Sequence, residues 1–119
     1  MTLTEDRIVN TVHSTTTHVF GRTVNSARDH HFVIDGTHGP AEAVTPVEVF
    51  LSSISACGLH LIERFADEAG ISLERAEAEI TGSRPKSAPQ SFDHVDLRFT
   101  LVGPTQKEAE KLVERFKGR

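Results

Sequence analysis

The sequence predicts an α+β fold on three observations: β-rich segments without helical period before residue 36, one long apolar helix opened by a capping box at Thr45, and two alternating segments followed by a second capped helix. Strands grouped on either side of whole helices, rather than strict strand–helix alternation, point to an antiparallel sheet packed with a long central helix. The 119 residues, 37% hydrophobic and 25% charged, suit one domain. Its parts are N-terminal strands and loop over 1–44, a central helix over 45–70, a strand pair over 71–103 and a C-terminal helix over 104–119.

Residues 7 to 24 are rich in Val, Thr, Phe and Ile and punctuated by Gly21, which predicts two short strands joined by a turn. Residues 30 to 35, His-His-Phe-Val-Ile-Asp, predict a third strand, and the glycines and proline of residues 36 to 44 a loop. Thr45-Pro46-Val47-Glu48 then places a hydroxyl at N-cap, proline at the first helical position and glutamate at the third, so the two side chains satisfy each other's orphan backbone donors. The helix should run from residue 46 to Ala69, with Gly70 as its C-terminal cap. Val47, Phe50, Leu51, Ile54, Cys57, Leu61, Ile62, Phe65 and Ala69 follow helical spacing, which predicts a buried stripe carrying Cys57. Ser52, Ser53, Ser55, Ala56 and Gly58 form a patch of small residues, so a bend or a close contact is expected near Gly58.

Ala76, Ala78 and Ile80 alternate with charged or polar neighbours, as do Val95, Leu97, Phe99 and Leu101, predicting two half-buried strands joined by a polar loop over 82–91. Thr105-x-x-Glu108 repeats the capping box, and Ala109, Leu112, Val113 and Phe116 give the last helix one apolar stripe.

Composition narrows the function. A formal net charge of −4, with 13 Lys and Arg interspersed among 17 Asp and Glu, leaves no basic stripe for phosphates, so nucleic acid is not an expected partner. No run of about 18 uninterrupted apolar residues and no signal-peptide pattern at the N-terminus lead us to expect a cytoplasmic protein with no membrane contact. Seven Phe, no Trp and no Tyr provide few large core anchors, which favours oligomerisation. The histidines His13, His18, His30, His31, His38, His60 and His94 show no zinc-site spacing, and the one cysteine has no CxxC partner, so no metal or other cofactor is expected.

The run from Thr45 to Cys57, Thr-Pro-Val-Glu-Val-Phe-Leu-Ser-Ser-Ile-Ser-Ala-Cys, together with the element order, resembles the OsmC/Ohr (organic hydroperoxide resistance) superfamily. There, a proline and glutamate open a long helix that reaches Ala-Cys or Gly-Cys about three turns on. The strand His31 to Asp35 before a Gly-containing loop, and the segment from Gly103 to Arg119, are similar to their counterparts in that family, so the likeness covers nearly the whole chain. It implies an intertwined homodimer with two long helices at its centre and thiol sites at the subunit interface. It also implies an oxidative-stress peroxidase: a peroxidatic cysteine, here Cys57, attacks an organic hydroperoxide, becomes sulfenic acid, and is resolved by a second cysteine before a dithiol restores it. Only the thiolate is strongly nucleophilic, so a positive or donating neighbour should stand beside it.

Two departures accompany the resemblance. The second cysteine, normally in Cys-Pro just after the last helix, is not present up to Arg119; either an external thiol resolves the sulfenic acid or the natural chain continues into that motif. The position of the family's catalytic glutamate, directly after the proline, holds Val47, with Glu48 shifted by one. On a straight helix Glu48 sits roughly 180° around and about 13 Å along from Cys57, which suits capping better than chemistry. The family's site arginine corresponds to Arg28, with Arg22 its rival, and a solvated surface arginine is the plainer reading of either. His60 follows Cys57 by one turn, about 60° around, where an imidazole is placed to favour thiolate or simply to border a dimer contact. As an inert packing residue Cys57 would instead serve a non-catalytic dimer that binds a small hydrophobic or acyl-type ligand.

Overall fold

The β-branched and polar residues of the N-terminal segment pair as an antiparallel meander, β1 (His13–Thr16), β2 (Arg22–Ala27) and β3 (His30–Asp35), in spatial order β1-β2-β3. A computed structural model describes residues 6–118, and the chain packs as two units divided between Val49 and Phe50. The first strand begins later than the sequence suggests, at His13, and the second runs on to Ala27. β2 turns into β3 through Arg28 and Asp29, with Arg28 at φ 55°, a conformation L side chains rarely adopt but one that tight hairpin turns require.

Counting back from that turn, the register sets Arg22 directly opposite Asp35. Arg22 Nε and Nη2 donate to the two Asp35 carboxylate oxygens at 2.8 and 2.9 Å, and Nη2 also donates to Glu42 Oε1 at 3.0 Å. Asp35 is fully buried, and its Oδ2 accepts the backbone N–H groups of Glu42 and Ala43, both at 2.9 Å. Paired hydrogen bonds from Arg22, then those backbone donors, hold the carboxyl well below the usual carboxylate range and outweigh the opposing effect of burial. One carboxylate thus fastens the 36–44 loop to the sheet. The same loop closes on the β1–β2 turn, where Gly36 N–H donates to the Gly21 carbonyl at 2.7 Å and a Cβ on Gly21 would lie 2.6 Å from Gly39 Cα.

The remaining elements are α1 (Pro46–Ala69), β4 (Arg75–Ser83), β5 (His94–Val102) and α2 (Gln106–Lys117). α1 begins and ends where its caps predict: Thr45 and Glu48 exchange hydrogen bonds at 2.8 and 3.2 Å, and Gly70 takes φ 67°. Ile71 N–H reaching Ala66 O and Gly70 N–H reaching Asp67 O complete a Schellman cap. Thr105 and Glu108 form the second capping box.

The core of the second unit is Ile62, Phe65, Ala66 and Leu112, with Phe99, Leu101 and Phe116 packed against it. Phe99 meets Phe116 edge to face at 5.4 Å, and both rings press on Gly58, where a Cβ would sit 2.9 Å from Phe99. The small-residue patch therefore serves a close contact. Arg115 links the helices from outside, bound to Glu68 at 2.6 Å and lying 4.1 Å over the Phe65 ring. In the β4–β5 pair most of the alternating residues divide as expected, Ala76, Ala78, Ile80, Leu97, Phe99 and Leu101 being half-buried while Glu77, Glu79, Arg98 and Thr100 are exposed, but Val95, expected on the covered face, is exposed because it pairs with Gly82 at the end of the ladder beyond the core.

The buried stripe of α1 departs from expectation. Its buried residues are Gly58, Ile62, Phe65 and Ala66, whereas Phe50 and Cys57 are exposed. The cause is that α1 is apolar around more than one face, so helical spacing alone does not tell which face the chain itself covers. By length and composition this helix would even suit a membrane span, which reading for uninterrupted apolar runs did not anticipate; a core helix passes the same test.

Two outcomes follow for stability. Asp35→Asn should lower the melting temperature at neutral pH by on the order of 10 °C, because it leaves Arg22 without its buried counter-charge. The folded carboxyl titrates below its unfolded value of about 3.9, so its contribution is complete above that pH and is lost as pH falls below it. Melting curves of the native chain should accordingly fall more steeply below about pH 4 than those of the Asn variant, and parallel curves would refute the assignment. Gly58→Leu should destabilise by at least about 2 kcal/mol through overpacking against Phe99 and Phe116, read by urea unfolding; an unchanged midpoint would show the contact to be slack.

Candidate functional site

The one thiol of the chain stands on the solvent side of α1. Cys57 is exposed and, among the described residues, its Sγ has no hydrogen-bond partner. The 3.6-residue period brings Phe50, one heptad earlier, to within about 20° of Cys57 and roughly 10 Å along the axis, with Ile54 and Leu61 flanking on one side and Ser53 and His60 on the other. Phe50 stacks against Phe92 of the β4–β5 loop at 6.3 Å between ring centroids, and Arg84 lies 5.4 Å over the Phe92 ring. The thiol therefore sits on a face that is apolar toward the helix N-terminus and carries an imidazole one turn toward the C-terminus.

Of the residues read from sequence as site candidates, α1 brings Cys57 and His60 onto one face, and His60 is exposed with no ion pair among the described residues. Glu48 is engaged as a cap: its Oε1 accepts the Thr45 N–H and its own N–H donates to Thr45 Oγ1. Arg28 occupies the β2–β3 turn, exposed, with no partner for its guanidinium among the described residues. Its rival Arg22 is bound on two sides, to Asp35 and Glu42. No three of His, Cys, Asp or Glu converge among the described residues.

Sequence reasoning missed Asp35 as the partner that decides what Arg22 can do. The signal was present in the two-residue turn at Arg28-Asp29, since counting outward from it pairs position 22 with position 35. Chemically, what remains is an accessible nucleophile with an apolar approach, an imidazole nearby and no second cysteine in the sequence.

Comparison with known proteins identifies the family and the fold. A family profile described as OsmC-like protein matches residues 39–119, which include the whole of α1. The chain is 27% identical to protein YhfA of Escherichia coli K12 over 84 residues, covering 71% of this chain and 62% of that relative. In fold it is similar to an OsmC-like protein of Mycoplasma pneumoniae, at a TM-score of 0.82 and 18% identity over 96% of this chain and 83% of that one. It is also similar to an organic hydroperoxide resistance protein OsmC of Legionella pneumophila, at 0.70 and 21% over 93% and 83%. With that profile matching residues 39–119 and those folds aligning over nearly the whole chain, the chain belongs to the OsmC-like family and carries the OsmC/Ohr fold.

Proposed function

We propose that the protein is a thiol-dependent peroxidase that reduces organic hydroperoxides in the cytoplasm, working as a homodimer through Cys57. The observation that carries the reading is the accessible thiol on the family's helix, approached over the apolar surface of Phe50 and Ile54. In the reaction the Cys57 thiolate attacks the outer peroxide oxygen, the O–O bond breaks, and the alcohol leaves after taking a proton, with Cys57 left as sulfenic acid. An external thiol then condenses with the sulfenic acid, releasing water and forming a mixed disulfide. A second thiol displaces Cys57 and leaves as the oxidised disulfide, so two thiols reduce one hydroperoxide.

The homodimer rests on α1, a long apolar helix of which only one face is buried by its own chain. In the first unit Ile8 is 95% exposed and Phe20 84%, with Val9, Val12 and Phe32 exposed as well, apolar surface that a partner subunit would cover.

A second reading is favoured by one specific observation: Arg22 and Glu48, which could have served the thiol, are both held in structural contacts. On it the dimer binds a small hydrophobic or acyl-type ligand, and Cys57 is packing.

Turnover of cumene hydroperoxide with dithiothreitol as reductant separates the two. The peroxidase reading expects saturable consumption that Cys57→Ser abolishes and a sulfenic acid on Cys57 that a dimedone probe traps; no consumption, or equal consumption by the variant, would sink it. Glu48→Ala should cost about 1 kcal/mol of stability as a lost cap while leaving turnover within twofold. A loss of turnover beyond tenfold would instead make Glu48 part of the chemistry.

A further inference from the structure

The β4–β5 loop folds back on itself and sets an arginine beside an aromatic ring. Asp93 N–H donates to the Ser83 carbonyl at 3.1 Å, closing the loop at its base, and Ala88 N–H donates to the Pro85 carbonyl at 3.1 Å, turning it at its tip. The closure seats Phe92 on Gly82, where any Cβ would collide with the ring. From that seat Phe92 stacks on Phe50 of α1, the rings 10° from parallel, and it carries the Arg84 guanidinium at 5.4 Å.

No contact inside the chain accounts for the charge of Arg84. The side chain is exposed, its hydrogen bond is a long one, from Nη1 to the Pro89 carbonyl at 3.4 Å, and it forms no ion pair among the described residues. Asp93, the carboxylate next to Phe92 in sequence, faces His94 Nδ1 at 3.3 Å instead. A guanidinium offers its donors in a planar fork that matches a carboxylate with two hydrogen bonds, and an aromatic face beneath it helps to hold that fork in place. Its position along α1 is set by the ladder. Phe99 rests on Gly58 and Phe92 on Phe50, so β4 and β5 run beside α1 toward the helix N-terminus, and Arg84, just past the end of β4, stands at the Phe50 end. That end is roughly 10 Å from Cys57 along the axis, too far for the guanidinium to act on the thiol. Between them lies apolar surface, Phe50 being 54% exposed and Ile54 half-buried.

We propose that Arg84 is a specificity-determining residue, which seats the carboxylate of a hydroperoxide whose apolar chain crosses Phe92 and Phe50 to bring the peroxide group to Cys57. The inference rests on the peroxidase reading above and narrows its substrate to hydroperoxides that carry an acidic group remote from the peroxide.

Turnover of ω-hydroperoxydodecanoate and of its methyl ester, with dithiothreitol as reductant, tests it, because the two differ only in the charge of the far end. The native chain should prefer the acid at least about tenfold in kcat/KM. Arg84→Gln should remove that preference by raising KM for the acid at least about tenfold, with kcat within twofold and the ester unaffected. Equal use of acid and ester by the native chain, or a variant that loses both alike, would overturn the proposal. Calorimetry with dodecanoate, which has no peroxide group, separates this outcome from failure of the peroxidase reading. Dodecanoate should bind the native chain at least about tenfold more tightly than Arg84→Gln. That result without turnover of either hydroperoxide would remove the peroxidase and keep the carboxylate seat, whereas equal binding to both proteins would remove the seat.

Discussion

The second unit is built on α1, a helix with apolar residues on more than one face, only one of which its own core buries. The caps at Thr45 and Gly70 fix where α1 starts and stops, while Gly58, Ile62, Phe65 and Ala66 turn one face onto Leu112, Phe99 and Phe116. The other side keeps Phe50, Ile54 and Cys57, residues that in a self-sufficient domain would give way to charge. Among the described residues the buried apolar cluster, Ile62, Phe65, Ala66 and Leu112, is small, so each of its contacts matters to the stability of the second unit.

The second constraint is electrostatic. Burying Asp35 without a partner would be prohibitive; burying it with Arg22 and two backbone donors turns it into the joint that holds the 36–44 loop against the sheet and delivers the chain to Thr45. The loop could not lie so close without Gly21 and Gly39 at the contact. This arrangement removes Arg22 from the pool of free cations, just as capping removes Glu48 from the pool of free carboxylates. Both side chains thus carry structural contacts that the fold depends on.

These contacts also bear on what the sequence could and could not tell. The elements from Thr45 onward were legible because their boundaries are written in local chemistry: two capping boxes, one glycine cap and two alternating strands agree with the backbone they adopt. The N-terminal strands were read less well, since residues 7–12 have the composition of a strand but no neighbour in the chain, and pairing is a non-local property. The face of Cys57 was misread for a related reason. Periodicity reports that a residue belongs to an apolar stripe, and on a helix with apolar residues on several sides it does not report which stripe meets its own core. The Arg22–Asp35 joint needed a register count that composition does not supply.

Cys57 ties these strands of argument together. A thiol on the inner face of α1 would be an inert packing residue; on the outer face it is accessible, and it shares that face with the exposed ring of Phe50. On α1 itself, the ionisable side chain that shares the thiol's face within one turn is His60. A charged imidazole favours a neighbouring thiolate and a neutral one does so far less, so the pH profile of the thiol's reactivity tests whether His60 acts on it: a dependence on an ionisation in the histidine range that His60→Gln removes supports that role, and a profile the variant leaves unchanged excludes it.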